Sequence, residues 1–192
     1  EDLVKSVAAA LQTRKLGTVD SFGASLSRPL HGEFPRYVRV NGCRVPGRHT
    51  ELLQELARHA GAQPTADPHI ANLYMLPAGT DLHDCPLVTG GQVILQDKSS
   101  CMPAAALLGD WSSRSDFPSG TCDVIDACAA PGNKTSHAAM LLGDGGSVFA
   151  FDKSQTRAKL LARRMREAGA TNVRARCADW LDVDPRDPTY AR

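Results

Sequence analysis

The feature that most constrains the fold is an alternation within residues 122–175. Three short apolar runs, Cys122–Asp126, Ser147–Phe151 and Asn172–Ala175, are separated by two segments whose apolar residues recur at helical spacing. The first helix is expected over Lys134–Leu142, ending at Gly143. The second is expected over Gln155–Ala168, with Ala158, Leu161, Ala162, Met165 and Ala168 on one face and Gly169 closing it. Strands and helices that alternate through short connections imply right-handed crossovers and a parallel sheet. The expected fold class is α/β, one part of a doubly wound, Rossmann-like sheet.

A different pattern precedes it. Leu3, Val7, Ala10 and Leu11 predict a helix over residues 3–16, and the Ser-, Gly- and Pro-rich stretch Ser21–Pro35 predicts a loop. Tyr37–Val40 alternates as a strand and stops at Asn41–Gly42. Thr50 is the expected cap of a helix that Gly61 ends, and Leu73–Leu76 reads as a second strand. Strand, helix and strand make a small α+β domain, placed at residues 1–88, ahead of an α/β domain at 89–192. Within the latter, Val93–Leu95 is a short apolar run, Ser99 or Ser100 caps a helix reaching Leu108, and Ser112–Gly120 is a polar linker.

Open parallel sheets bind ligands at the carboxyl ends of their strands. After the first strand comes Asp126-Ala127-Cys128-Ala129-Ala130-Pro131-Gly132-Asn133-Lys134-Thr135, a loop of small residues leading into a helix. Small side chains let a ligand approach the backbone, and the helix N-terminus offers free N–H groups to a carboxylate or other anion. Asp152, at the end of the second strand, is placed to accept the two hydroxyls of a ribose. Asp179, beyond the third strand, can accept from the exocyclic amine of adenine, with Trp180 supplying apolar contact. The loops therefore suit an adenosine ligand. Neither G-x-G-x-x-G nor G-x-x-x-x-G-K-[ST] occurs, which removes most support for a dinucleotide or a nucleoside triphosphate.

The string Asp126–Thr135 resembles the D-x-C-A-A-P-G-G-K-T motif of the Nop/Sun RNA (cytosine-5) methyltransferases, with Asn133 in place of the second Gly. Gln96–Ala104 resembles the family's upstream Q-D-x-S-S/A-x-x-P-A motif, and Pro35–Asn41 its amino-terminal P-R-x-x-R-x-N strand. Asn133-Lys134-Thr135-Ser136-His137 and Thr80-Asp81-Leu82-His83 look most like the family's fifth, ribosomal-RNA-modifying branch. The resemblance covers residues 34–192. It implies a Rossmann-like methyltransferase sheet and S-adenosylmethionine as cofactor, held by Cys128, Ala129, Ala130, Pro131, Gly132, Asn133, Lys134, Asp152, Arg157 and Asp179. It also implies RNA, in particular ribosomal RNA, as partner, and the nucleus and nucleolus as location.

The family's reaction uses a cysteine thiolate that attacks C6 of cytosine and a second cysteine that assists release. The family carries these in D-P-S-C-S-G and T-C-S motifs, and neither string occurs here. The nucleophile is therefore expected beyond Arg192, in a chain that reads as truncated, and a non-catalytic RNA- or cofactor-binding fragment is the alternative. Cys101, Cys128 and Cys177 read as structural thiols. His69, His83 and His137 lack a carboxylate at a motif-like spacing, and His83 with Cys85 is no zinc pattern, so no metal is expected.

Charge adds a surface expectation. The formal net charge is +1, yet five Arg against Glu33 lie between Arg28 and Arg48, and eight basic residues against Glu167 lie between Lys153 and Arg176. Such clusters can neutralise phosphates, and Arg36 and Arg39 are the expected RNA contacts. No apolar run is long enough to span a membrane, and six cysteines without a C-x-x-C pair suggest a reducing, intracellular setting.

Overall fold

The computed structural model describes residues 2–13, 18–21, 34–109, 122–184, 186 and 187. The chain divides into two compact units, Glu1–Phe34 and Pro35–Arg192. The first contains helix α1, Asp2–Thr13, in the place expected. Residues 14–16 of the expected helix, most of the expected loop at 21–35, Arg28 and the linker at 112–120 lie outside the described residues.

The second unit holds two sheets. The first is antiparallel, in the order β2 (Thr65–Ala66), β3 (Leu73–Leu76), β1 (Arg36–Val40), β4 (Val93–Leu95). Helix α2, His49–Ala60, places Leu52 and Leu56 in one core with Val38, Val40, Leu76 and Val93. Gly61, at φ 64°, ends α2 in the left-handed conformation that glycine adopts freely. Thr50 is not the cap: it lies one residue inside the helix, and Arg48 holds the cap position without a side-chain capping bond. After the short helix α3, Pro86–Thr89, strand β4 pairs with β1, so the antiparallel sheet draws on chain beyond residue 88.

Helix α4, Lys98–Leu108, begins after Asp97, which puts Ser99 and Ser100 inside it rather than at its cap. The second sheet is parallel, in the order β5 (Val124–Asp126), β6 (Val148–Asp152), β7 (Val173–Cys177). Helices α5, Asn133–Leu142, and α6, Gln155–Glu167, connect the three strands in turn. Val148, Ala150, Ala138, Ala139, Leu142, Leu161 and Met165 form its core, joined by Ala104 and Leu108 of α4. β6 is buried along its whole length, whereas Ile125 of β5 is half exposed because β6 is its only described strand neighbour. Most helical stability comes from burying such an apolar face, which is why α6 turns Arg157, Lys159, Arg163, Arg164 and Arg166 to solvent.

His137, in the middle of α5, is buried at 1% exposure, and neither ring nitrogen has a hydrogen-bond partner. Burial, reinforced by the nearby Arg39 cation, pushes its pKa down to about 3. The folded protein thus keeps this imidazole neutral where an unfolded chain, with an ordinary value of about 6.5, takes up a proton. Stability present above about pH 6.5 is expected to fall as pH drops toward 3, by up to ~1.4 kcal/mol per unit. Chemical unfolding of wild type and His137→Leu at pH 7, 6 and 5 checks this; equal pH slopes for the two would contradict it.

Candidate functional site

Three strand ends meet at the parallel sheet's carboxyl edge, and backbone bonds tie their loops together. Ala129 N donates to Phe151 O at 2.9 Å, joining the loop after β5 to the end of β6. Ala178 N donates to Asp152 O at 3.2 Å, joining the loop after β7 to the same point. Thr135 Oγ1 donates to Asp126 Oδ2 at 2.7 Å, bracing the start of α5 against the end of β5.

Asp152 sits at the centre of this edge and is 5% exposed. Its Oδ1 accepts from Ser154 N at 3.0 Å, and Arg157 Nε lies 3.4 Å from Oδ2. Arg157 Nη2 also donates to Ala130 O at 2.6 Å, so one guanidinium links the carboxylate to the loop. Each carboxylate oxygen carries two acceptor sites, which leaves capacity on Asp152 for further donors. Asp179 accepts from Leu181 N at 3.1 Å and caps the 3-10 turn Trp180–Asp182, while the Trp180 ring packs 5.3 Å from that of Phe151.

The loop's small residues also pack inward. Ala129, Ala130 and Gly132 are buried, the two alanines in the core beneath the sheet. A Cβ on Gly132 would meet Met165 Cε at 2.5 Å and Leu161 Cδ1 at 3.0 Å. Smallness here permits close packing on α6. The side chains left exposed are Cys128, Pro131 and Lys134, with Asn133 half-buried. Gly132, at φ 110°, occupies the cap of α5 and supplies no side-chain capping bond, so the helix's first N–H groups retain donor capacity for an anion. Lys134 Nζ lies 3.4 Å from Ser100 Oγ. A cleft of about 380 Å³ between β4 and α6 borders Gly132 and Asn133, but neither Asp152 nor Asp179 lines it.

Arg39 is not an RNA contact. It is fully buried, with Nε donating to Gln96 Oε1 at 2.9 Å and Nη2 to Ser136 Oγ at 2.8 Å. Burial brings its pKa down to about 10. The equally buried Asn41 donates through Nδ2 to Gly91 O and Ala168 O, both at 2.8 Å. These two motif residues therefore join the antiparallel sheet to α5 and α6. Arg36, Arg44 and Arg48 do face solvent, Arg48 paired with Glu51 at 3.1 Å.

The thiols divide by environment. Cys101 is buried, and burial pushes its pKa up to about 11; Cys43 is raised for the same reason. Neither has the thiolate character of a nucleophile. Cys128 and Cys177 are exposed. Among the described residues no group of three or more His, Cys, Asp or Glu could hold a metal, and no helix is long and apolar enough to cross a membrane. Asp67, which the sequence did not single out, is buried and receives Lys98 Nζ at 2.7 Å and the N–H groups of His69 and Ile70. Burial alone would raise its carboxyl pKa, but these donors hold it below the usual value.

Comparison with known proteins covers both sheets. Residues 118–187 match the model of the 16S rRNA methyltransferase RsmB/F family, and residues 47–96 match the ferredoxin-like domain of NOL1/NOP2/Sun domain family member 5. The chain is 36% identical over 193 residues to the 25S rRNA (cytosine-C(5))-methyltransferase NSUN5 of Arabidopsis thaliana, covering 100% of this chain and 31% of that protein. It is 38% identical over 176 residues to a 28S rRNA (cytosine-C(5))-methyltransferase of Mus musculus, covering 83% and 36%. The chain thus spans about a third of the length of these relatives. Among solved structures, a methyltransferase homolog from Pyrococcus horikoshii superposes with a TM-score of 0.63 at 26% identity, covering 77% of this chain and 45% of that one. NSun6 from Pyrococcus horikoshii, solved with SFG, gives a TM-score of 0.60 at 17% identity over 76% of this chain and 58% of that one, a likeness of fold alone.

Proposed function

Because this chain belongs to the Nop/Sun family of RNA (cytosine-5) methyltransferases, we propose that it binds S-adenosylmethionine and serves methylation of cytosine C5 in ribosomal RNA. The observation that carries this reading is the convergence on Asp152 of the α5 loop, Arg157 and the turn after β7. Asp152 accepts the ribose hydroxyls, Asp179 receives the adenine amine, and the free N–H groups at the start of α5 face the carboxylate. Cys128, Pro131, Asn133 and Lys134 line the approach to that end, while Ala129, Ala130 and Gly132 shape it from within the core. When bound, the cofactor supplies an electrophilic methyl group on sulfur. No cysteine of residues 1–192 is assigned as the nucleophile, in keeping with the raised pKa values of Cys43 and Cys101.

Ribosomal RNA as substrate is supported by the names of the relatives, and the nucleolus as place of action follows from that substrate. In this reading the α+β domain, placed at residues 1–88 by sequence and continued by β4 to Leu95, presents Arg36 and Arg44 to phosphate. The double variant Arg36→Ala/Arg44→Ala is expected to weaken RNA binding uniformly across sequences. It should also flatten the dependence of log affinity on log salt by about 0.7 for each single-strand phosphate that the variant leaves unneutralised. Titrations between low and moderate salt measure this, and an unchanged slope would remove both residues from the interface.

Equilibrium binding of S-adenosylhomocysteine to the 192-residue chain tests the cofactor assignment. Saturable binding that competes with S-adenosylmethionine is expected; no binding by the folded chain would refute it.

A further inference from the structure

The Arg39 guanidinium is a buried cation with no carboxylate paired to it among the described residues. Uncompensated burial of a charge is costly, so what this one holds matters. Its planar fork spans two elements. Nε is fixed on Gln96 Oε1, whose own Nε2 donates to Ser100 O at 3.0 Å on α4. Nη2 reaches Ser136 Oγ at 2.8 Å and Asn133 O at 3.5 Å, both in the first turn of α5. Asn133 in turn donates from Nδ2 to Leu95 O at 3.4 Å, on the strand next to β1. The start of α5 lacks a side-chain cap of its own, so this external clamp stands where local capping is missing.

We propose that Arg39 is a positioning residue for the cofactor loop: its guanidinium, braced on Gln96, holds the first turn of α5 so that the helix-start N–H groups keep one orientation toward an anion. The inference rests on the cofactor reading above for the identity of that anion, the carboxylate of the amino-acid moiety. It also makes β1, an inner strand of the antiparallel sheet, the element that sets the geometry of the cofactor half. A flexible ammonium cannot reproduce the two-sided fork, so Arg39→Lys should lose the effect although it keeps the charge.

The test uses the full 192-residue chain with Arg39→Lys and, as a milder change in packing, Ser136→Ala. Two probes are compared by calorimetry: S-adenosylhomocysteine, which carries the carboxylate, and 5′-methylthioadenosine, which does not. Amide exchange is followed over residues 133–137. Both variants are expected to bind S-adenosylhomocysteine about tenfold more weakly, a size typical of one charge–helix-terminus interaction in a partly buried site. Their affinity for 5′-methylthioadenosine should stay unchanged, and exchange should rise in the first turn of α5. Equal weakening of both ligands would reduce Arg39 to a general structural role and overturn the proposal, as would unaltered exchange over residues 133–137. Should the wild type bind neither probe, the cofactor reading fails by itself, and faster exchange confined to that turn decides the positioning role alone.

Discussion

Asp152→Asn is expected to weaken S-adenosylhomocysteine binding by about one to two orders of magnitude with little loss of fold stability. Hydrogen bonds to a charged acceptor contribute roughly 1.5–3 kcal/mol, about twice the neutral case, and a ribose presents two hydroxyl donors to one carboxylate. The amide keeps the shape and can still accept from Ser154 N, which now bonds Oδ1 at 3.0 Å. It replaces the second acceptor with an NH₂ group that faces the ribose donors with a donor of its own. The ion pair to Arg157 is also lost, but that guanidinium is 58% exposed and keeps its bond to Ala130 O, so the loop stays anchored. Asp179→Asn should cost only about fivefold, because a single neutral donor is involved and the turn-capping bond to Leu181 N survives. Affinity within about twofold of wild type for Asp152→Asn would remove the ribose from this carboxylate.

Much of the architecture could be read from periodicity because each element buries one side. α6 shows this well: Ala158, Leu161 and Met165 face the sheet, the basic residues face water, and both its spacing and its terminus follow from that contrast. β1 defeats the same logic. Alternation assigns Val38 and Val40 to the core and Arg39 to solvent, but the sheet is covered on both sides. Leu52 and Leu56 of α2 lie against one face, while Cys101 of α4, with Tyr37 beside it, and Ser136 of α5 lie against the other. A charged residue on a twice-covered strand has the same sequence signature as one on a wet face. Helix starts failed for a related reason. Thr50, Ser99 and Ser100 have capping chemistry, but the actual caps are Arg48, which lacks it, and Asp97, which has it yet makes no side-chain capping bond, so residue type alone did not place either start. The loop after β5 was legible as a loop from its small residues, whereas the partner Gly132 packs against, Met165, lies thirty-three positions away and could be found only by folding the chain.

Gly132→Val is expected to be the most destabilising single change at the site, through two separable causes. At φ 110° the backbone lies where β-branched residues are strongly disfavoured, a strain of roughly 1–3 kcal/mol. The new Cβ would also lie 2.5 Å from Met165 Cε and 3.0 Å from Leu161 Cδ1, and overpacking of that kind costs about 1–3 kcal/mol. Together these lower Tm by about 4 °C or more, given roughly 2–4 °C per kcal/mol for a chain of this size. The causes respond differently to a second mutation. Met165 is flexible and its removal opens the space, so Gly132→Ala combined with Met165→Ala should regain the steric part relative to the two single variants, a favourable coupling of about 1 kcal/mol. The backbone strain remains, because no change on α6 alters the torsion required at the head of α5. Strict additivity in that double-mutant cycle would mean that contact with Met165 is not why glycine stands there, leaving Leu161 and the strained torsion at the helix start to account for the loss.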